Sequence, residues 1–190
     1  YMHGWLKKQI KSQREMVCYS ALVAINNDMP FDSVINQINQ HADNSGFIAA
    51  LDEDLYEPRP NQVNLIKAIL LRLDMEQQDE SVIKTYTGRI TIEHILPQAL
   101  VNEYWINRFQ PQEHVYWLHK IGNLTLISGS KNSEAQHYDF IKKKSIYEKL
   151  NSKSSFDLTK DVCNSSEWGL AELKMRHEKM KTQLKKLWLV

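Results

Sequence analysis

The spacing of apolar positions changes character along the chain. Residues 5–27 mix apolar and polar side chains at an interval that suits a helix. Asp28-Met29-Pro30 interrupts it, because proline disfavours helix at the residue before it. A second helix is predicted over Phe31–Gln40, followed by a loop over His41–Phe47. Asp52 to Pro60 carries four acidic residues and two prolines, an exposed connection where a boundary can fall. From Asn61, the residues Leu65, Ile66, Ile69, Leu70 and Leu73 recur at helical intervals and fade over Met75 to Glu80, which predicts a helix with one buried stripe.

The period then shortens. Arg89-Ile90-Thr91-Ile92-Glu93-His94-Ile95 alternates and is β-branched, which predicts a strand that Pro97 ends. Ile121 to Ile127 has the same character and predicts a second strand. Ser128-Gly129-Ser130-Lys131-Asn132 reads as a turn into a helix over Ser133–Leu150. In the closing helix, Glu167 to Leu189, the residues Leu170, Leu173, His177, Met180, Leu184 and Leu187 share one face, with lysines opposite. The fold class is α+β and mainly helical. It is organised as a helical lead-in over 1–80 and a second part over 81–190 that holds both strands.

Composition narrows the function. The whole chain has 24 basic and 23 acidic residues, but 1–80 holds 7 basic and 12 acidic, and 81–190 holds 17 and 11. A polyanion therefore prefers the second part. Cys18 and Cys163 stand far apart and outside any CxxC pair, which excludes a thiolate zinc site and a secreted disulfide framework and suits a reducing cytoplasm. No apolar run approaches the ~20 residues that cross a bilayer. The opening YMHGWLKKQIKSQRE carries charges where a signal peptide is apolar.

The chemistry concentrates in one ordered set: Glu93-His94 at the end of the first strand, Gly122-Asn123 opening the second, and Asn132 where the next helix starts. A strand that offers a carboxylate and an imidazole, with an amide from the helix behind it, can hold one divalent ion beside a histidine that acts as base. Phosphodiester hydrolysis uses that pair of roles.

This set resembles the HNH (ββα-metal) nucleases, and among them the C-terminal nuclease domain of GmrSD-type, modification-dependent (type IV) restriction enzymes. The resemblance rests on Ile92-Glu93-His94-Ile95-Leu96-Pro97-Gln98, on Ile121-Gly122-Asn123-Leu124-Thr125-Leu126, and on Asn132. Phe140 with Lys143-Lys144 and Tyr147, and Trp168 with Arg176 and Trp188, extend it. It implies a ββα-metal core of two short antiparallel strands and a helix, surrounded by further helices. It implies an endonuclease in which His94 is the general base and Asn123 ties the loop that aims it. Glu93 and Asn132 would hold the metal, Mg²⁺ or Mn²⁺, because an oxygen shell suits hard cations. Lys143 and Lys144, with Lys142 beside them, would meet the DNA backbone. His114, His119 and His137 are auxiliary candidates. The implied setting is cytoplasmic restriction of foreign or modified DNA, with a nucleotide-hydrolysing, modification-sensing N-terminal domain on the same or a partner chain.

Two other readings use the same residues. Glu93 stands where many HNH nucleases have Asp or His, so the ββα frame can also serve as a catalytically weak or inactive DNA-binding module. The acidic residues 1–80 can alternatively dock a neighbour as a helical interaction domain.

Overall fold

Helices α1 (Met2–Leu6), α2 (Lys11–Asn26), α3 (Phe31–Asn39) and α4 (Asn44–Ala50) open the chain in a computed structural model that describes residues 2–6, 8–56, 60–79, 81, 85–86, 88–148 and 156–189. The fold is α+β and mainly helical. It forms two compact units, Tyr1–Glu53 with Lys185–Val190, and Asp54–Leu184. Residues 57–59 of the acidic connection, Glu80, and the predicted helix end at Leu150 lie outside the described residues.

In the first unit the single helix predicted over 5–27 is two. Lys8 takes φ 57°, its N–H donates to the Trp5 carbonyl (3.0 Å), and Gln9 N–H donates to the Gly4 carbonyl (2.9 Å). That is a Schellman stop, with lysine in the left-handed position that glycine usually takes. Asp28, at φ 52°, performs a similar reversal before Pro30 and α3. The predicted loop over His41–Phe47 instead contains the start of α4, whose first turn is capped by the Asp43 carboxylate accepting from Gly46 N–H (2.8 Å). His3 stacks on Phe47 at 4.6 Å and bonds the Trp188 carbonyl at 2.7 Å, which ties the end of the chain to this unit.

The second unit contains α5 (Pro60–Met75), β1 (Ile90–His94), α6 (Glu103–Ile106), α7 (Pro111–Trp117), β2 (Leu124–Ser128), α8 (Gly129–Ala135), α9 (Phe140–Tyr147), α10 (Asp157–Cys163) and most of α11 (Leu170–Trp188). The predicted stripe of α5 is buried along its length at Leu65, Ile66, Ile69, Leu70 and Leu73. β1 and β2 pair antiparallel, with Ile92 opposite Leu126 and His94 opposite Leu124. Ile95, Leu96, Trp105, Ile127, Phe140, Tyr147, Trp168 and Leu173 close the main core around this hairpin.

The second strand begins three residues later than its pattern predicts. Ile121–Asn123 form a 3-10 turn, because Gly122 lies directly under α11: a Cβ on it would stand 2.6 Å from the His177 Cβ and 2.8 Å from its Cα. The buried Arg176 guanidinium holds the turn by donating to the carbonyls of Gly122 (2.7 Å) and Leu124 (2.9 Å). The helix predicted over 133–150 is also two. Gln136 reverses the chain at φ 36°, and Asp139 caps α9 by accepting from Lys142 N–H (2.8 Å). α8 starts at Gly129, so Asn132 lies inside a helix and is not the cap at its start.

Candidate active site

The end of β1 and the face of α8 line a polar cavity of about 640 Å³. Glu93, His94 and Asn132 all contribute to its wall, so the structure brings these three together.

Asn132 is turned by its own amide: Nδ2 donates to the Ile92 carbonyl (2.8 Å) and to Thr91 Oγ1 (3.1 Å). Among the described residues nothing donates to its Oδ1, which leaves that oxygen as a ligand atom. Asn123 is buried and lies away from the cavity wall. Its Oδ1 accepts from Leu96 N–H (2.7 Å), and its Nδ2 donates to the carbonyls of Leu96 (3.0 Å) and Leu118 (2.9 Å). One amide therefore joins the chain leaving β1 to the chain entering β2.

Glu93 is buried, and its Oε1 accepts from Lys143 Nζ (2.8 Å) and Tyr147 Oη (3.0 Å). Lys143 Nζ also donates to the His94 carbonyl (2.7 Å). Burial pushes the Glu93 carboxyl up and the Lys143 ammonium down, each opposed by its partner's charge. The expectation that Lys143 meets the DNA backbone is corrected by this geometry, since its ammonium is inside the core. Lys142 is exposed and reaches over the Tyr138 ring at 5.9 Å, while Lys144 is half-buried and donates to the Ser165 carbonyl (3.1 Å).

His94 is buried with both ring nitrogens engaged: Nδ1 lies 3.3 Å from Gln98 Nε2, and Nε2 lies 3.2 Å from His119 Nδ1. Burial first, then the His119 and Lys143 charges, push its pKa down to about 3. The ring is therefore neutral at neutral pH, the state a base must be in to take a proton. Tyr56 lies edge-on to His94 at 4.6 Å and stacks on His119 at 5.6 Å. Of the other auxiliary histidines, His137 lines the cavity and His114 bonds the Pro97 carbonyl at 2.8 Å.

The donors fit a hard divalent cation in kind. Asn132 Oδ1 is an oxygen without other partners among the described residues, and Asn132 and Glu93 both line one polar cavity. Lys143 offsets the charge of Glu93, so the protein alone would hold such an ion weakly, and substrate phosphate oxygens and water would complete its shell.

The cavity also includes Lys67 and Arg89, two cations that the sequence reading does not single out. Arg89 opens the alternating stretch and stands one residue before β1, and Lys67 sits between Ile66 and Ile69 of the α5 stripe, so each carried a positional signal.

No helix among the described residues is long and apolar enough to cross a membrane. No curated protein matches the chain. A model of the family described as GmrSD restriction endonucleases, C-terminal domain, matches residues 42–183, about three quarters of the sequence. The chain thus belongs to the C-terminal domain family of the GmrSD restriction endonucleases, and its role is of the nuclease type.

Proposed function

We propose that the chain is a metal-dependent HNH endonuclease that hydrolyses DNA phosphodiester bonds in the restriction of foreign or modified DNA. The observation that carries this reading is that His94, Asn132 and Glu93 line one polar cavity. His94 takes a proton from water, whose oxygen forms a new bond to phosphorus as the bond to the leaving sugar oxygen breaks. That oxygen takes its proton from solvent. Asn132, with Glu93 beside it, would hold a Mg²⁺ or Mn²⁺ ion. Bound there, the ion supplies Lewis-acid stabilisation of charge on the phosphate. Asn123 fixes the loop behind His94. Lys67 and Arg89 attract the backbone at the cavity, and Lys142 and Lys144 extend the positive surface.

In this reading residues 81–190 carry the nuclease core and 1–80 lead into it. The chain acts in the cytoplasm, and modification sensing and nucleotide hydrolysis belong to a domain elsewhere on the same or a partner chain. The direct test incubates the purified protein with supercoiled plasmid and Mg²⁺ or Mn²⁺. Nicking that stops with chelator and falls in His94→Ala and Asn132→Ala supports the reading. Equal nicking by wild type and His94→Ala removes it.

The Lys143–Glu93 pair favours one rival, a DNA-binding module too weak in metal affinity to cleave. Calorimetric titration with Mn²⁺ separates the two. Binding abolished by Asn132→Ala rejects the rival, and no heat of binding with or without DNA favours it.

A further inference from the structure

The contacts of His94 specify more than its neighbourhood. As the Gln98 amide is oriented, its Nε2 donates to His94 Nδ1 at 3.3 Å, which makes Nδ1 the lone-pair nitrogen of the neutral ring. The one ring proton is then on Nε2, which faces His119 Nδ1 at 3.2 Å. Two bare nitrogens at that distance would repel, so His119 Nδ1 accepts, and the proton of the neutral His119 ring lies on its Nε2. The rings are held at 77° to one another, and Tyr56 packs on both.

We propose that His119 is the positioning residue of the catalytic base: it accepts the Nε2–H of His94 and so fixes the tautomer whose lone pair is on Nδ1, the nitrogen that meets the cavity-lining Gln98. This rests on the reading of His94 as base. A histidine can take a proton only at the nitrogen that lacks one, and the bond made by the other nitrogen selects which that is. Gln98 is exposed and also lines the cavity, so its amide can give way to a water at Nδ1. When Nδ1 takes the proton of that water, the imidazolium keeps its Nε2–H on His119, so the ring need not turn during the reaction.

No pattern in the chain announces this role. His119 follows α7 by two residues, stands 25 positions after His94, and reaches it through the fold. Its own backbone is fixed too, since its carbonyl accepts from Leu55 N–H (3.1 Å), and the neighbouring Lys120 pairs with Asp54 (3.0 Å).

The test reads the tautomer directly. In ¹⁵N-labelled, metal-free protein at pH 7.5, long-range ¹H–¹⁵N correlation of the imidazoles is expected to show His94 with Nε2 protonated and Nδ1 bare. His119→Ala is expected to lose that single tautomer and to lower kcat for plasmid nicking ~10–100-fold, the usual effect of removing a partner behind an active group, with KM unchanged. His119→Asn, whose amide oxygen can stand where Nδ1 stands, is expected to restore both. A His94 ring protonated on Nδ1 overturns the proposal, as does a His119→Ala spectrum identical to wild type. The spectrum needs no cleavage, so it decides the positioning role even if His94→Ala nicks like wild type and the nuclease reading itself fails. Should His119→Ala not fold, the wild-type spectrum alone still decides.

Discussion

Helices α2 and α5 are both 16 residues long, and they bury themselves in opposite ways. α2 encloses only Ala24 and leaves Met16, Tyr19, Leu22 and Ile25 exposed, whereas α5 buries Leu65, Ile66, Ile69, Leu70 and Leu73. The unit that contains α5 also takes polar groups inside: Glu93, Lys143, Asn123 and Arg176 are buried there, nearly all of them hydrogen-bonded to backbone or to one another. A buried polar group is tolerated only where its partners are fixed. The unit with the continuous core is therefore the one that can hold a catalytic constellation in place. The first unit has a smaller interior, made by Leu6, Ala24, Val34, Phe47 and Leu51.

Substitutions in the two helices and around the buried pair put that contrast to the test. The largest effect is expected from Lys143→Met, which leaves Glu93 buried without its counter-charge and should cost about 3–5 kcal/mol in urea unfolding. A second change, Glu93→Gln, should recover part of that loss, and full additivity of the two would mean that the pair is not coupled. Leu70→Ala in α5 should cost about 2–5 kcal/mol, as for other deletions from a filled core. Gly122→Ala presses a methyl against the His177 backbone and should cost about 1–3 kcal/mol, measured as a fall in Tm.

An effect that is smaller for each pH unit concerns acid. An imidazole in the unfolded chain takes its proton near pH 6.5, but folded His94 stays neutral down to about 3. Between those values the unfolded state binds the extra proton, so stability falls as pH is lowered through the window and is flat above it. The limiting slope is about 1.4 kcal/mol per pH unit for one group. Chelator-treated wild type should show this slope below pH 6.5, and His94→Gln should lack it. The smallest effect is Leu22→Ala on α2, expected within about 0.5 kcal/mol of wild type. A large loss there would show that α2 is covered, and would erase its contrast with α5.

The stripe of α5, the two strands and the approach of Glu93, His94 and Asn132 to one cavity were legible because each rests on a local period or a short motif. Reversals were not. Lys8 and Gln136 take positive φ without being glycine, so nothing in their identity marks the ends of α1 and α8. Lys143 was legible in principle: it lies three residues after buried Phe140 and four before buried Tyr147, which is the inward face of α9. A run of three lysines reads as a solvated surface, and only helical phase separates its middle member from the other two. His119 stood in the sequence only as one of three auxiliary histidines with His114 and His137, and its pairing with His94 is set by how the insert between the strands folds back.

In the proposed reaction the His94 imidazole itself takes the proton from water. Chemical rescue tests it most directly: nicking of supercoiled plasmid by His94→Ala, with Mn²⁺ present and folding checked by circular dichroism, measured with and without added imidazole. The expected rate is about 10²–10⁴-fold below wild type, and it rises with imidazole and saturates, as a free base occupies the space of the missing ring. A folded His94→Ala protein that nicks at the wild-type rate, with no response to imidazole, would contradict it.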